Sequence, residues 1–153
     1  MTVKVVSAFP VKMGGQVDTD KIVESLGFPS NRWINQKNFP LNNEKEWTDE
    51  IEIIEAPGRL MSENYALDLL ADAGLERPTY AHGIRFTEQF GKMSSEEKPS
   101  LLFWHEPWKD PQGRDRILCL DRENDRRRWL TLIQVITSLG FNERCALVGV
   151  RKY

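Results

Sequence analysis

The chain has little cysteine and no long apolar run. Only two of its 153 residues are cysteine, Cys119 and Cys145, and both stand among apolar neighbours. Two thiols are too few for the disulfide framework of a small secreted domain, so we interpret both as buried hydrophobic residues. No apolar run approaches the ~18 residues of a membrane span, and residues 2–10 lack the apolar core of a signal peptide. We therefore expect a cytoplasmic protein that does not associate with a membrane.

The sequence also lacks the motifs of several common enzyme classes. Gly14 and Gly15 belong to neither the dinucleotide-binding nor the phosphate-binding glycine pattern, and no serine stands in a nucleophile elbow. The two histidines, His82 and His105, are not at a spacing typical of metal ligands. Cys119 is a poor nucleophile candidate, because an apolar strand hides a thiol and disfavours its ionised form. We expect no cofactor and no metal ion.

The overall composition is typical of one ordinary globular domain. The chain is 40% hydrophobic and 29% charged, which disfavours intrinsic disorder. A domain of this size buries roughly two-thirds of the surface that its unfolded chain exposes, so it needs no covalent staples to fold. We predict that residues 1–153 form a single domain.

Charge is unevenly distributed along the chain, although its formal sum is only −2. Residues 44–76 contain ten acidic residues and two basic ones, so this block carries −8 and the remainder of the chain carries +6. Such segregation favours the steering of a charged partner and says little about the fold. Because the whole chain has no basic excess, we expect no direct binding to DNA.

Hydrophobic periodicity predicts an α+β domain, with a mainly antiparallel sheet of four or five strands and with helices packed on one face. The predicted strands lie near residues 3–9, 51–54, 101–104, 117–120 and 145–150. The predicted helices lie near residues 18–26, 62–73, 78–90 and 126–139. The last helix has the clearest apolar stripe, formed by Trp129, Leu132, Ile133, Ile136 and Leu139. Residues 30–48 are predicted to form a long loop pinned by aromatic side chains.

The first candidate binding surface combines a tryptophan with basic side chains. Trp108 lies in a predicted turn beside Lys109, where it has little reason to be buried, and exposed tryptophans often anchor interfaces. Arg126, Arg127 and Arg128 open the last predicted helix, where guanidinium groups and free backbone N–H groups together favour an anion. The alternative is that carboxylates just upstream already neutralise these arginines, namely Asp121, Glu123 and Asp125.

The acidic block is the second candidate surface. Carboxylates along a half-exposed strand and a helix face would imitate a phosphate backbone and occupy a basic groove on another protein. The alternative is an ordinary solvated face that needs no partner. The residues assigned to this surface are Glu50, Glu52, Glu55, Glu63, Asp68 and Asp72.

Our leading hypothesis from the sequence is a non-enzymatic protein that binds a protein or ribonucleoprotein complex through these surfaces. An inhibitor or adaptor of a nucleic-acid-handling complex would suit the charge segregation. The alternative is a small enzyme acting on a phosphate-bearing substrate (a nucleotide or nucleic acid), with His105 as acid/base and the arginines as the anion site. A concave pocket containing His105 would favour the enzyme, whereas a convex patch centred on Trp108 would favour the binding protein. A third hypothesis is a structural subunit of a larger assembly.

Overall fold

A seven-stranded sheet forms the centre of the computed structural model, which describes residues 5–55, 60–93, 100–124, 127–135, 139–140 and 145–151. The strands are β1 (Val5–Gly14), β2 (Glu46–Glu55), β3 (Leu60–Met61), β4 (Leu75–Glu76), β5 (Ser100–Lys109), β6 (Asp115–Asn124), β7 (Arg127–Gln134), β8 (Leu139–Gly140) and β9 (Cys145–Arg151). The large sheet has the order β1-β2-β9-β5-β6-β7, and β4 pairs with the end of β9. The β5–β9 pair is parallel and the other pairs are antiparallel. β3 and β8 form a separate two-stranded sheet.

Three helices are present in these residues, and side-chain caps fix the starts of the first two. The helices are α1 (Thr19–Ser25), α2 (Glu63–Asp72) and α3 (Tyr80–Phe90). The Asp18 carboxylate accepts a hydrogen bond from the backbone of Lys21, and the Ser62 hydroxyl accepts one from Tyr65. Gly74, at a φ of +73°, follows the end of α2, as the sequence predicts.

The α+β class is confirmed, but the predicted strand number and helix placement are wrong. The large sheet has seven strands instead of four or five. Its helices lie on both faces: α1 and α3 contribute to one hydrophobic cluster with the sheet, and α2 contributes to another. That residues 1–153 form one domain stays a prediction.

Burial on both faces explains the continuous apolar run at the start of β5. Leu101 and Phe103 pack in the cluster that holds α1 and α3, whereas Leu102 and Trp104 pack in the cluster that holds α2. Successive side chains of a strand point to opposite faces, so a strand covered on both sides is apolar at every position. The predicted buried strand at residues 101–104 is thereby confirmed.

The predicted helix at residues 126–139 is wrong, because Arg127–Gln134 forms β7. The apolar residues of this segment fit both the period of a helix and the two-residue period of a strand. In the strand, Leu130 and Leu132 face one side of the sheet, and Thr131 faces the other. β7 pairs along β6, with Leu130 opposite Leu120 and Leu132 opposite Leu118. Tertiary pairing with β6 therefore overrides the helical stripe.

The long loop between α1 and β2 packs on the sheet, as predicted, and it also protects an edge. Phe39 is buried, and Trp33 packs against the same core. Leu130 of β7 donates its backbone N–H to Pro29 and accepts one from Asn31, at 3.1 and 2.8 Å. These bonds occupy part of the free edge of β7, where another chain would otherwise pair.

A glycine in β9 allows α2 and β4 to approach the sheet closely. A Cβ atom added at Gly149 would lie 2.7 Å from Leu70 Cδ2 and 2.9 Å from Leu75 Cβ. Both distances are shorter than normal carbon–carbon contacts. The absence of a side chain at this position therefore sets how near α2 sits to the strands.

We predict that Gly149→Ala lowers the free energy of unfolding by about 1–3 kcal/mol, because the added methyl group overpacks the α2 interface. In a Leu70→Ala background the same substitution costs less, because the nearest clashing atom is gone. Urea denaturation of the four proteins measures both effects. An equal cost in the two backgrounds, or no cost in either, would show that the close approach is not the constraint.

Candidate functional site

Trp108 is half-buried in an aromatic cluster and is not an isolated exposed anchor. Its ring centroid lies 5.8 Å from that of Trp33 and 5.2 Å from that of Phe39. The Arg116 guanidinium lies 5.1 Å from the Trp33 ring, and its Nε donates to Asp110 at 2.7 Å. These contacts give Trp108 a packing role at the end of the β5–β6 hairpin.

The structure does not bring Trp108 together with the arginines. Trp108 pairs with Arg116 near the start of β6, whereas Arg128 pairs with Arg122 near its end. Six residues of strand separate these positions, roughly 20 Å at 3.3 Å per residue. Arg128 donates to the Met93 carbonyl at 2.8 Å. The proposed combined surface is therefore divided between two ends of a strand.

The remaining members of that predicted surface offer no helix-terminal anion site. Arg127 begins β7 and so does not open a helix, which removes the helix terminus on which the anion hypothesis relied. Arg126 lies outside the described residues, as does the side chain of Arg127. Lys109 is exposed and forms a 3.1 Å ion pair with Asp115, the kind of surface pair that contributes little.

The acidic block is only partly an exposed surface. Glu52 is buried at 3% exposure and forms an ion pair with Arg151, and Glu63 lies 3.3 Å from Arg77. Glu50 is half-buried. Exposed carboxylates remain at Glu55 on β2 and, one turn apart on α2, at Asp68 and Asp72. Binding of a basic partner by these exposed carboxylates stays a prediction.

His105 is a structural residue buried at 1% exposure. Its Nε2 accepts the backbone N–H of Leu118 at 3.0 Å, and its Nδ1 lies 2.6 Å from the Glu106 carbonyl, to which it donates. The ring thus completes the β5–β6 pairing where the register shifts between Phe103 and Trp108. Burial lowers the pKa of His105 to about 4. Both ring nitrogens bond to backbone groups and the ring is buried, so a substrate has no access to it.

The cysteines are also without an evident chemical role. Cys119 is buried, and burial raises its pKa well above the usual range for a thiol. Cys145 is half-buried, and burial raises its pKa too. A thiol that stays protonated is a weak nucleophile. The predicted burial is confirmed for Cys119, whereas Cys145 is only partly buried.

A cleft that the sequence did not suggest lies at the far end of the β1–β2 hairpin. β2 pairs with β1 from Glu46, but it pairs with β9 only from Ile51, so the end of the hairpin extends past the sheet. A cavity of about 300 Å³ opens there between the hairpin, the long loop and the start of α3. Its lining residues are Met13, Gly14, Gly15, Val17, Pro40, Leu41, Asn42, Asn43, Trp47, Thr79, Ala81, His82 and Arg85.

His82 is held at the wall of this cleft by partners on both ring nitrogens. Its Nε2 lies 2.8 Å from Asp49 Oδ2, and that carboxylate also accepts the Trp47 indole N–H at 3.0 Å. Its Nδ1 lies 3.0 Å from both the backbone nitrogen and the hydroxyl oxygen of Thr79. Because a carboxylate only accepts, the network places the ring proton on Nε2 and leaves Nδ1 as an acceptor.

A second contact from α3 fixes the other strand of the hairpin. Arg85, only 8% exposed, donates from Nη1 to the Gly14 carbonyl at 2.6 Å and from Nε to Glu88 at 2.8 Å. Gly14 has a φ of +71°, and a Cβ there would lie 1.7 Å from the Lys45 carbonyl oxygen. This tight turn therefore requires glycine. Gly14, which belongs to no nucleotide-binding glycine pattern, thus shapes the cleft wall.

A second cavity of about 360 Å³ adjoins the first. The two cavities share Met13, Gly14, Trp47 and Arg85. Trp47 is 40% exposed although it belongs to the loop predicted to be pinned by aromatic side chains, and Trp129 of the predicted helical stripe is 46% exposed. The residues found only in the second cavity are Lys12, Glu46 and Thr48. Trp47 thus presents an aromatic surface to both spaces.

Local sequence contained one weak signal for this site. Thr79 and His82 stand at the spacing of a helix capping box, with histidine in place of the usual glutamate or glutamine. Asp49 is 33 residues before His82 and on a different element, so no sequence spacing links the two.

Comparison with protein-family models, with curated protein sequences and with solved structures gives no match to this chain. In the part of the chain that the structure describes, no helix combines the length and the apolar character that crossing a bilayer requires. Within the same ranges, no three histidine, cysteine or acidic side chains are grouped closely enough to hold a metal ion.

We predict that His105 makes the folded state sensitive to acid. Its folded pKa of about 4 lies below the ordinary 6.5, so between these values the unfolded chain binds a proton that the folded chain does not. The contribution of neutral His105 to the free energy of unfolding is fully present above pH 6.5. This contribution is lost as the pH falls toward 4, by about 3 kcal/mol in total.

Urea denaturation at pH 7 and pH 4.5 tests this sensitivity. His105→Gln keeps a donor and an acceptor but does not titrate, so its free energy of unfolding should fall less than that of the wild type over this range. The carboxylates titrate in both proteins, and their contribution cancels in the difference. Identical pH dependence in the two proteins would contradict the assignment.

Proposed function

We propose that the protein binds a small, largely apolar molecule with a carboxylate or similar acidic oxygen group in the cleft beside His82. The volume of about 300 Å³ lies at the lower end of the range of small-molecule sites, roughly 300–1,000 Å³. Met13, Val17 and Leu41 supply apolar walls, and Trp47 supplies an aromatic face. A flat apolar group fits these surroundings.

Hydrogen-bond donors at one side of the cleft favour an acidic oxygen. The first turn of α3 borders the cavity at Thr79 and Ala81, and the backbone N–H groups of a first helical turn favour negative charge. Asn42 and Arg85 line the same space. Among the described residues that line this cavity, none is aspartate or glutamate. Glu88 pairs with Arg85 and moderates its charge, which favours a singly charged ligand over a polyphosphate.

The observation that carries this proposal is the convergence of the fixed His82 ring, the exposed Trp47 face and the start of α3 on one cavity. The enzyme hypothesis drawn from the sequence combined a histidine with arginines as an anion site. The cleft offers the same combination at His82 and Arg85. Among the described residues, neither His105 nor Arg128 lines it.

We predict that 1-naphthoate binds in the cleft with a Kd on the order of 0.1–1 mM, as expected for a fragment of this size. Saturable movement of the backbone amide signals of Ala81 and His82, which line the cavity, reports binding in a nuclear magnetic resonance titration. The neutral analogue 1-naphthamide should bind at least five-fold more weakly, because it lacks the charge that the helix start favours.

Two exposed tryptophans provide a matched pair of variants. Trp47→Ala should weaken naphthoate binding about ten-fold, because it removes the aromatic wall. Trp129→Ala removes an equally exposed indole from β7 and should leave binding unchanged. Equal weakening by both variants, equal affinity for the amide, or no saturable binding by the wild type would refute the proposal.

A further inference from the structure

We propose that the Thr79 hydroxyl is a nucleophile and that the protein hydrolyses esters of the acids that fit its cleft. This inference rests on the proposed function, since it treats the bound carboxylate as the product of the reaction. The observation behind it is a chain of contacts from Thr79 through His82 to Asp49. The Thr79 oxygen lies 3.0 Å from His82 Nδ1, and His82 Nε2 lies 2.8 Å from the Asp49 carboxylate.

The direction of each hydrogen bond in this chain follows from its partners. Asp49 accepts from Nε2, so the ring proton is on that nitrogen. The backbone N–H of Thr79 points to Nδ1 at 3.0 Å, which independently requires an unprotonated nitrogen there. The Thr79 hydroxyl lies 3.0 Å from the same nitrogen, to which it can act only as a donor, and it shares the nitrogen's one lone pair with that N–H. Its oxygen also accepts the backbone N–H of His82 in the capping box. A hydroxyl that donates to a histidine oriented by a carboxylate is the arrangement of an activated nucleophile.

The location of the chain suits attack on a bound ligand. Thr79 is exposed and lines the cleft together with His82. Asp49 is half-buried and held by the Trp47 indole, so it acts through His82 as a positioning residue. Tyr80 and Ala81 follow Thr79 in the first turn of α3, where backbone N–H groups have no acceptor within the helix. Such groups stabilise the negative oxygen that forms beside the nucleophile.

The reaction needs only an ester and water. The Thr79 oxygen forms a bond to the ester carbonyl carbon while its proton passes to His82 Nδ1. The carbon–oxygen bond to the leaving alcohol then breaks, and the alcohol takes that proton. A water molecule next gives a proton to Nδ1 and attacks the acyl carbon. The bond to Thr79 breaks, Thr79 recovers the proton, and the carboxylic acid is released. Asp49 stabilises the cationic ring in both steps.

The same contacts also complete the cap of α3, so the test must separate catalysis from capping. Thr79→Val removes the hydroxyl and keeps the backbone N–H that contacts His82. Ser62→Ala is a matched control, because Ser62 caps α2 with its hydroxyl and has no histidine beside it. Circular dichroism and thermal melting of each variant establish that it is folded.

Hydrolysis of 4-nitrophenyl butyrate by the wild type is the first measurement. Thr79→Val and His82→Asn should each lower kcat/KM by at least about 10²-fold. Thr79→Ser should retain activity, and Ser62→Ala should leave it unchanged. Asp49→Asn should lower kcat with little change in KM, which a loss of stability alone would not produce. A wild-type rate in folded Thr79→Val would overturn the inference and leave Thr79 as a capping residue.

Labelling of the wild type by diisopropyl fluorophosphate gives a result that does not depend on variants folding. Mass spectrometry should find one adduct, on the peptide containing Thr79, and none in His82→Asn. Labelling elsewhere only, or none, would overturn the inference.

Naphthoate binding without Thr79-dependent hydrolysis would refute the nucleophile and keep the binding site. Thr79-dependent hydrolysis without naphthoate binding would support the nucleophile and refute the proposed ligand class.

Discussion

The hydrogen bond between Asp49 and His82 is the contact on which the cleft depends. It joins β2 to α3 across 33 residues of sequence, at a point where the β1–β2 hairpin has passed beyond its pairing with β9. The Arg85–Gly14 bond joins the same helix to β1. Both contacts fall on the protruding end of the hairpin. The Gln89 side chain of α3 adds two hydrogen bonds to the backbone of Lys12 in β1. Contacts of this kind stabilise the end of the hairpin, because an isolated two-stranded hairpin is marginally stable.

The two-sided sheet sets the position of α3 and therefore the geometry of the site. Buried side chains of α3, including Ile84 and Phe86, belong to the same cluster as Phe103 and Leu118 of the central strands. Gly83 brings the helix close, since a Cβ there would lie 3.1 Å from both of those side chains. A helix packed this tightly holds Thr79, His82 and Arg85 at fixed places along one cavity. The α3 side of the site is thus preorganised by the hydrophobic core.

Much of the fold could be predicted from the sequence, because its signals are local. The run from Leu101 to Trp104 predicts a buried strand, and Ser62 and Gly74 mark the ends of α2. β7 could not be predicted in this way, since its apolar residues satisfy both a helical and a strand period. Pairing with β6 decides between them. The number of strands and the side on which each helix packs depend on the same long-range contacts.

The candidate site was harder to predict, because its residues come into contact only in the folded chain. The enzyme hypothesis from the sequence assigns the acid/base role to His105. Burial and two internal hydrogen bonds instead give His105 a structural role. The acidic block was read as a single surface, but Glu52 pairs with Arg151 and Asp49 with His82. Partners for charged side chains come from distant elements, and neither composition nor spacing reveals them. Thr79 and His82 alone are near enough in sequence to form a recognisable pair.

The most direct test of the contact between Asp49 and His82 is to determine which ring nitrogen of His82 carries the proton. Nitrogen-15 nuclear magnetic resonance of the two histidines at neutral pH distinguishes a protonated ring nitrogen from an accepting one. We predict that His82 carries its proton on Nε2 and accepts on Nδ1, and that Asp49→Asn keeps this form, because the backbone N–H of Thr79 still requires an acceptor at Nδ1. A proton on Nδ1, or a ring that exchanges freely between the two forms in the wild type, would contradict it.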